Sequence, residues 1–210
     1  GLEQMIDLAA EHLVGAHGPP LSGSQQILDD LTQYRDSIQF MWDQTVRGIN
    51  KGLNISEITE LVRLPQKYEN RYFTQQFYGL VEHHVRQIHN GLRGWFDGDE
   101  SALFPLPASK RAKKLIDGFG GVEKVRQEIT KALKEDDLRW ALELATWLIR
   151  REVNENDQSD GGETKDRNQL ASILRKIGQR TTSTNVRNWC LTRVLELEGK
   201  LDISRFRKHR

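Results

Sequence analysis

The sequence predicts an all-α fold: a multi-helix domain with two long helices and helical hairpins, preceded by a short α/β remnant. Three observations carry this. Apolar residues recur at steps of three and four over most of the 210 residues. No apolar run approaches the roughly 20 residues that a membrane-spanning helix needs. The single cysteine, Cys190, excludes an intrachain disulfide and a thiolate metal cluster. It falls at helical spacing between Val186 and Val194, the position of a small buried hydrophobe. Basic and acidic residues nearly cancel, 31 against 30, and the net charge of +1 lacks the positive field of a dedicated nucleic-acid binder. A glycine at position 1, with no signal-peptide pattern after it, reads as an excised segment.

The first element is a short helix from Leu2 to Ala10. His12-Leu13-Val14-Gly15-Ala16 then reads as one buried strand, ending at His17-Gly18-Pro19-Pro20. A lone strand cannot satisfy its own backbone donors and acceptors, so this one needs a partner and looks like the last piece of another domain. Ile27, Leu31, Tyr34, Ile38, Met41, Thr45, Ile49 and Leu53 form a helical stripe, giving a helix from about Ser24 to Lys51, about 40 Å long at 1.5 Å per residue. Gly52 is its natural stop. Asn54 and Glu57 have N-cap and N3 spacing for a helix to Val62, which Leu64-Pro65 closes.

A second long stripe runs Phe73, Phe77, Leu80, His84, Ile88, Leu92 and Trp95, interrupted by Gly79, Gly91 and Gly94. Each glycine costs up to about 1 kcal/mol in a helix interior, so close packing or a frayed end is expected there. Asp97-Gly98-Asp99 reads as a turn, with Pro105 and Pro107 in an extended connector. The last third reads as helical hairpins. Val122, Val125, Ile129 and Leu133 mark one helix, and Leu138, Ala141, Leu142, Ala145, Leu148 and Ile149 its partner, capped by Asp136-Asp137. Leu170, Ile173, Leu174 and Ile177 begin another pair, completed by Val186, Trp189, Val194 and Leu197. The hairpins share no fixed-period signature of a tandem repeat.

Chemistry-bearing residues are sparse. His17 stands where a strand ends, a position from which metal ligands project, but a zinc site needs three or four ligands. His12, at an odd offset along the strand, points to the opposite face. His83, His84 and His89 lack the i, i+4 spacing of a helical metal pair. His84 on the apolar stripe reads as a hydrogen-bonded core histidine, and Tyr78 and Arg86 are placed to line a cleft. The stretch from Asn154 to Asn168 holds Glu155, Asp157, Asp160, Glu163 and Asp166 out of calcium-loop register, so it reads as a flexible acidic loop. Arg205 to Arg210 form a basic tail. There is no glycine-rich phosphate cradle and no nucleophile elbow.

An ordered set of segments is more specific. His17-Gly18-Pro19-Pro20, Tyr34-Arg35-Asp36, Asp43-Gln44-Thr45, Asn50-Lys51-Gly52, Phe77-Tyr78-Gly79, Gly94-Trp95-Phe96-Asp97-Gly98, Pro105-Leu106-Pro107, Trp140-Ala141-Leu142-Glu143-Leu144-Ala145 and Arg187-Asn188-Trp189 follow one another along the chain. Together they resemble the central dimerisation domain of alkyl sulfatases of the metallo-β-lactamase superfamily, from about Ala10 to Leu197. The resemblance implies a parent with a two-zinc metallo-β-lactamase-like domain, this all-α domain, and a sterol-carrier-like domain. Residues 1–23 are then the C-terminal remnant of the first, 24–199 the dimerisation domain, and 200–210 a basic tail. Family members hydrolyse sulfate esters of long-chain alcohols. By resemblance His17 is the family's final zinc-binding histidine and Tyr78 a tyrosine near the substrate sulfate. The zinc motif H-x-H-x-D-H is absent, so no catalytic residue is assigned to this chain, and zinc belongs to the parent rather than to the fragment. His84 and His89 stand where the family commonly has asparagine and tyrosine. The expected partner is a second copy of the chain, built on the two long stripes, in bacterial cytoplasm or periplasm. The competing reading is a free-standing helical protein–protein interaction module without an enzymatic parent.

Overall fold

A computed structural model describes residues 1–69, 71–151 and 162–202. The chain divides into two compact units, 1–103 and 104–210.

The first unit is organised on one long helix. α1 (Leu2–Asp7) leads to β1 (His12–Leu13) and β2 (Leu21–Ser22), then to α2 (Ser24–Asn50). α3 (Ile55–Leu61), α4 (Gln66–Glu69) and α5 (Val81–Arg93) follow, with a 3-10 turn at Tyr72–Thr74. Every one of these elements packs against α2. Its buried face carries Ile27, Leu31, Ser37, Met41 and Thr45 at helical spacing. Thr45 is fully enclosed, and its hydroxyl donates to the Met41 carbonyl at 2.7 Å, which removes the cost of an unpaired buried donor. Met41, Ile58, Val62, Val81 and Val85 form the core, with Phe40, Ile49, Leu53, Leu64 and Ile88 around it.

The capping box at the start of α3 forms as expected. Asn54 accepts from the Ser56 and Glu57 amides, and Glu57 accepts from the Asn54 amide at 2.8 Å. The Ile55 amide, which the helix leaves unpaired, donates to the Asp97 carbonyl at 3.0 Å.

Four expectations need correction in this unit. α1 stops at Asp7 rather than Ala10, because Ala9 takes a left-handed conformation with φ 46°. The strand of His12 is neither long nor buried, and it does not lack a partner. It pairs antiparallel with Leu21–Ser22 in the register His12↔Ser22 and Leu13↔Leu21, so the chain closes its own hairpin. The second stripe is not one helix from Phe73 to Trp95. Only Val81–Arg93 is α-helical. The Gln76 side chain accepts the Val81 amide at 2.8 Å and stands in for a preceding turn, while Gly94 ends the helix with φ 79°. The second long helix of the fold lies in the other unit.

The second unit contains α6 (Ala108–Phe119), α7 (Val122–Lys134), α8 (Leu138–Arg150), α9 (Gly162–Arg180) and α10 (Thr184–Leu197). α9, of 19 residues, is the second long helix after the 27-residue α2. The expected hairpins form: α7 packs on α8 and α9 on α10, with α8 against α9. Ala141 and Ala145 are buried, as their spacing demands for close approach. Asp137 caps α8 by accepting from the Trp140 amide at 3.0 Å. Ser183 does the same for α10. Cys190 is buried against this core. α6 has no counterpart among the sequence expectations, since only Ala112 and Ile116 face inward and so small a stripe is a weak periodic signal.

The acidic-loop expectation divides. Glu155, Asp157 and Asp160 lie outside the described residues, as does the basic tail from Arg205 to Arg210. Glu163 and Asp166 belong to α9. Asp166 has no exposed side-chain surface. It receives Arg126 Nε at 2.8 Å, Arg126 Nη2 at 3.0 Å and Arg151 Nη1 at 2.9 Å. A carboxylate this deep is tolerable only when fully paired. The forked contact holds the Arg126 guanidinium more firmly protonated than usual, chiefly through its hydrogen bonds to Asp166.

We expect Asp166→Ala to leave the nearly buried Arg151 without a carboxylate and Arg126 with only the exposed Glu123, and to cost about 3–5 kcal/mol. The exposed i, i+4 pair Lys113–Asp117 gives the control, since Lys113→Ala should cost about 0.5 kcal/mol or less. Chemical denaturation of both variants checks the contrast.

Candidate functional site

The hairpin ends in the turn that carries His17. Its base is fixed by the β1–β2 pairing, by the Gly23 amide donating to the Glu11 carbonyl at 2.9 Å, and by His12 Nδ1 against Ser22 Oγ at 3.0 Å. Beyond the base the backbone must turn sharply, and Gly18 does so with φ 88°. Gly18 also lacks the side chain that would collide with the Tyr72 hydroxyl. Tyr72 meets Phe73 edge-on at 5.2 Å, and Phe73 stacks on Tyr34 of α2 at 5.8 Å. An aromatic relay therefore runs from the long helix to the turn.

His17 and Tyr78, distant in sequence, come together. Their rings lie 5.7 Å apart at a 35° tilt, and both side chains are exposed, Tyr78 at 52%. The segment carrying Tyr78 is held from behind by its own neighbour. Gly79 presses directly against the His84 imidazole, leaving no room for a Cβ. His84 is half-buried, and burial, followed by the charge of His83, lowers its pKa below the ordinary histidine value.

The other candidates separate from this pair. Arg86 is exposed on α5 and makes no contact that would mark it as part of the site. His84 is not the hydrogen-bonded core histidine that its stripe position implied; the core position is taken by His89, which is 97% enclosed, with Nδ1 unpartnered. The shift follows from α5 beginning only at Val81, which sets Val81, Val85 and His89 on the inner face. His12 is spent on Ser22. Among the described residues, no three His, Cys, Asp or Glu side chains gather as a metal-holding group. His17 therefore offers one imidazole, short of the three or four donors that zinc takes. No helix among them is long and apolar enough to cross a membrane. Tyr72, Gly18 and Gly79 also belong to the site; Gly18 and Gly79 directly follow His17 and Tyr78 in sequence, while Tyr72 carries no local signal of its role.

These features define an all-α domain that displays a histidine on a hairpin braced by its longest helix, with a tyrosine from the segment before α5 beside it. The chain belongs to the alkyl sulfatase dimerisation family, whose sequence model matches residues 54–200. It is 37% identical over 202 residues to a linear primary-alkylsulfatase of a Pseudomonas strain, covering 96% of this chain and 37% of that protein. It is 29% identical to the alkyl/aryl-sulfatase of Saccharomyces cerevisiae, over 88% of this chain and 27% of that one. The solved stereoselective inverting sec-alkylsulfatase Pisa1 from Pseudomonas sp. superposes with a TM-score of 0.83 at 25% identity, over 96% of this chain and 30% of that chain. The chain thus spans about a third of the length of the relatives it matches.

The lowered pKa of His84 has a sign. The unfolded imidazole takes up a proton near pH 6.5, the folded one only at lower pH. The contribution is complete above the unfolded pKa and is lost as pH falls through the folded one. We expect stability to fall between pH 7 and pH 5, and the slope to flatten in His84→Gln. Urea denaturation across that range measures it.

Proposed function

We propose that this chain is the self-associating part of a zinc-dependent alkyl sulfatase-like hydrolase, to which it lends His17 as one metal donor and Tyr78 as a neighbour of the substrate sulfate. Residues 1–23 close the metal-binding domain of that parent, and 24–199 form its dimerisation domain. The observation that carries this reading is the exposed pairing of His17 with Tyr78. A histidine that resemblance makes a zinc ligand and a tyrosine that it places near the sulfate, from separate elements, lie ring to ring. Bound zinc would supply an activated hydroxide and neutralise charge developing on the sulfate. This chain's part is to hold an imidazole at a fixed turn and a phenol beside it.

The homodimer has a second support. α2 buries one face, yet Leu28, Ile38 and Trp42 remain exposed on it; Leu92 and Trp95, in and just past α5, are exposed as well. Apolar surface on both stripes exceeds what the unit itself covers, which suits a second copy. A free-standing interaction module has no comparable explanation for the His17–Tyr78 pair.

Sedimentation equilibrium should give twice the chain mass of 24.3 kDa. Trp42→Glu and Trp95→Glu should each weaken self-association, by about thirtyfold if either is a hot spot of roughly 2 kcal/mol. A concentration-independent mass of one chain would overturn the dimer.

The isolated chain, supplied with zinc and dodecyl sulfate, should release no sulfate above a metal-only blank. Joined to a segment bearing the H-x-H-x-D-H motif, it should become active, and His17→Ala should abolish that activity. Turnover by the isolated chain, or a joined protein indifferent to His17→Ala, would refute the assignment.

A further inference from the structure

A cavity of about 180 Å³ opens where the last turn of α2 meets α3, away from the hairpin residues. Its wall is mainly of two chemical kinds, with the neutral Gln44 beside them. Leu53, Ile58, Leu61 and Val62 supply an apolar floor, and Arg47 and Lys51 supply two cations. Ile58 and Val62 are fully buried, whereas Leu61 is 68% exposed. The floor exists because Gly48 has no side chain: a Cβ there would lie 2.7 Å from Ile58 Cγ1, so only glycine lets α3 come this close.

Arg47 and Lys51 are four residues apart and so lie on one face of the helix end. Both are exposed, and neither makes an ion pair or side-chain hydrogen bond among the described residues. Cations in the last turn of a helix complement its dipole. That accounts for their charge, but not for the recess beside them or for a leucine left largely in water.

We infer that this cavity binds a small amphiphilic anion: a monoanionic head group, carboxylate or sulfate, on an alkyl chain. The Arg47 guanidinium presents a planar fork that matches two oxygens of such a head, and Lys51 adds a point charge. The chain enters over the exposed Leu61 and runs toward the partly exposed Leu53, in front of the inner wall that the buried Ile58 and Val62 form. A dry cavity of about 150 Å³ accommodates benzene, so this volume takes a short alkyl segment and leaves a longer tail outside. A cationic head would face two like charges, and a neutral one would leave both cations without a partner. The site shares no residue with the His17–Tyr78 pair, so it is a second place at which an anionic amphiphile meets the chain.

Titration of the whole chain with hexanoate and with hexyl sulfate, in separate arms below micelle formation, tests this by calorimetry and by amide NMR. At least one anion should bind saturably, with shifts at Arg47, Lys51 and Leu61; the arm that binds more tightly identifies the preferred head. Hexyltrimethylammonium and hexanol should not bind. The double variant Arg47→Ala/Lys51→Ala should weaken binding about tenfold or more, with unchanged far-ultraviolet circular dichroism. The matched control Lys110→Ala/Lys114→Ala, in the other unit, should leave affinity unaltered. Leu61→Ala should weaken hexanoate more than propanoate. Absence of saturable binding up to millimolar concentration, equal binding by the Arg47/Lys51 variant, or equal binding of the ammonium compound would each overturn the site.

Discussion

The first unit depends on burying one face of α2. Ile27, Leu31, Met41 and Thr45 hold that face inward along 27 residues of helix, and α1, the two hairpin strands, α3, α4, α5 and the turn at Tyr72–Thr74 all pack on it. The other helices there are much shorter: α5 has 13 residues, and α1, α3 and α4 have six, seven and four. Helices so short are unstable alone, because the cost of nucleation is spread over too few hydrogen bonds. They exist where α2 gives them a surface. Even polar details serve this end. Thr45 returns its hydroxyl to its own helix, and Gly48 is bare so that Ile58 can seat.

The second unit solves the opposite problem. Its helices are of similar length and several carry clear apolar stripes, so their relative placement needs something more directional than burial. Asp166 provides it. One carboxylate joins α7 through Arg126 and the residue after α8 through Arg151 to the first turns of α9. Ion pairs this deep are weak evidence for added stability, because desolvation offsets attraction. Their geometric demand is strict, however, since a misplaced α9 would strand the charge. Asp136, at the α7–α8 turn, makes an exposed pair with Arg180 at 2.7 Å, a contact that tolerates solvent and imposes far less.

This difference explains what could be read from the sequence. Helices whose stripes run for three or more turns, α2, α7 and α8, declare themselves, because periodicity over that length has one interpretation. So do caps, since Asn54 with Glu57 and Asp137 with Trp140 are local chemistry. In α10 the helix forms, but Trp189, read as part of its stripe, is 67% exposed and the inner face is Cys190, Val194 and Leu197. The stripe from Phe73 to Trp95 misled because its spacing remains helical while its backbone does not. What breaks it is a side-chain-to-backbone bond from Gln76 and the fit of Gly79 against His84, and neither leaves a periodic trace. Asp166 misled for a related reason. In sequence it continues an acidic run, and only the arrival of two distant arginines distinguishes a buried anchor from a solvated charge.

The site was half legible. His17 and Tyr78 were marked by resemblance, but nothing in either segment says that the two rings meet. Their meeting follows from the constraint on α2. Tyr34 on that helix stacks on Phe73, Phe73 meets Tyr72, and the Tyr72 hydroxyl fits against the one residue of the turn that has no side chain. The hairpin is braced by the helix that also carries the exposed Ile38 and Trp42. In the proposed parent, self-association and presentation of the metal-directed histidine would then draw on one rigid element. A second copy seated on α2 would stiffen the same helix on which the turn depends, and the position of the imidazole would be coupled to assembly through two aromatic contacts and the seat of the Tyr72 hydroxyl against Gly18.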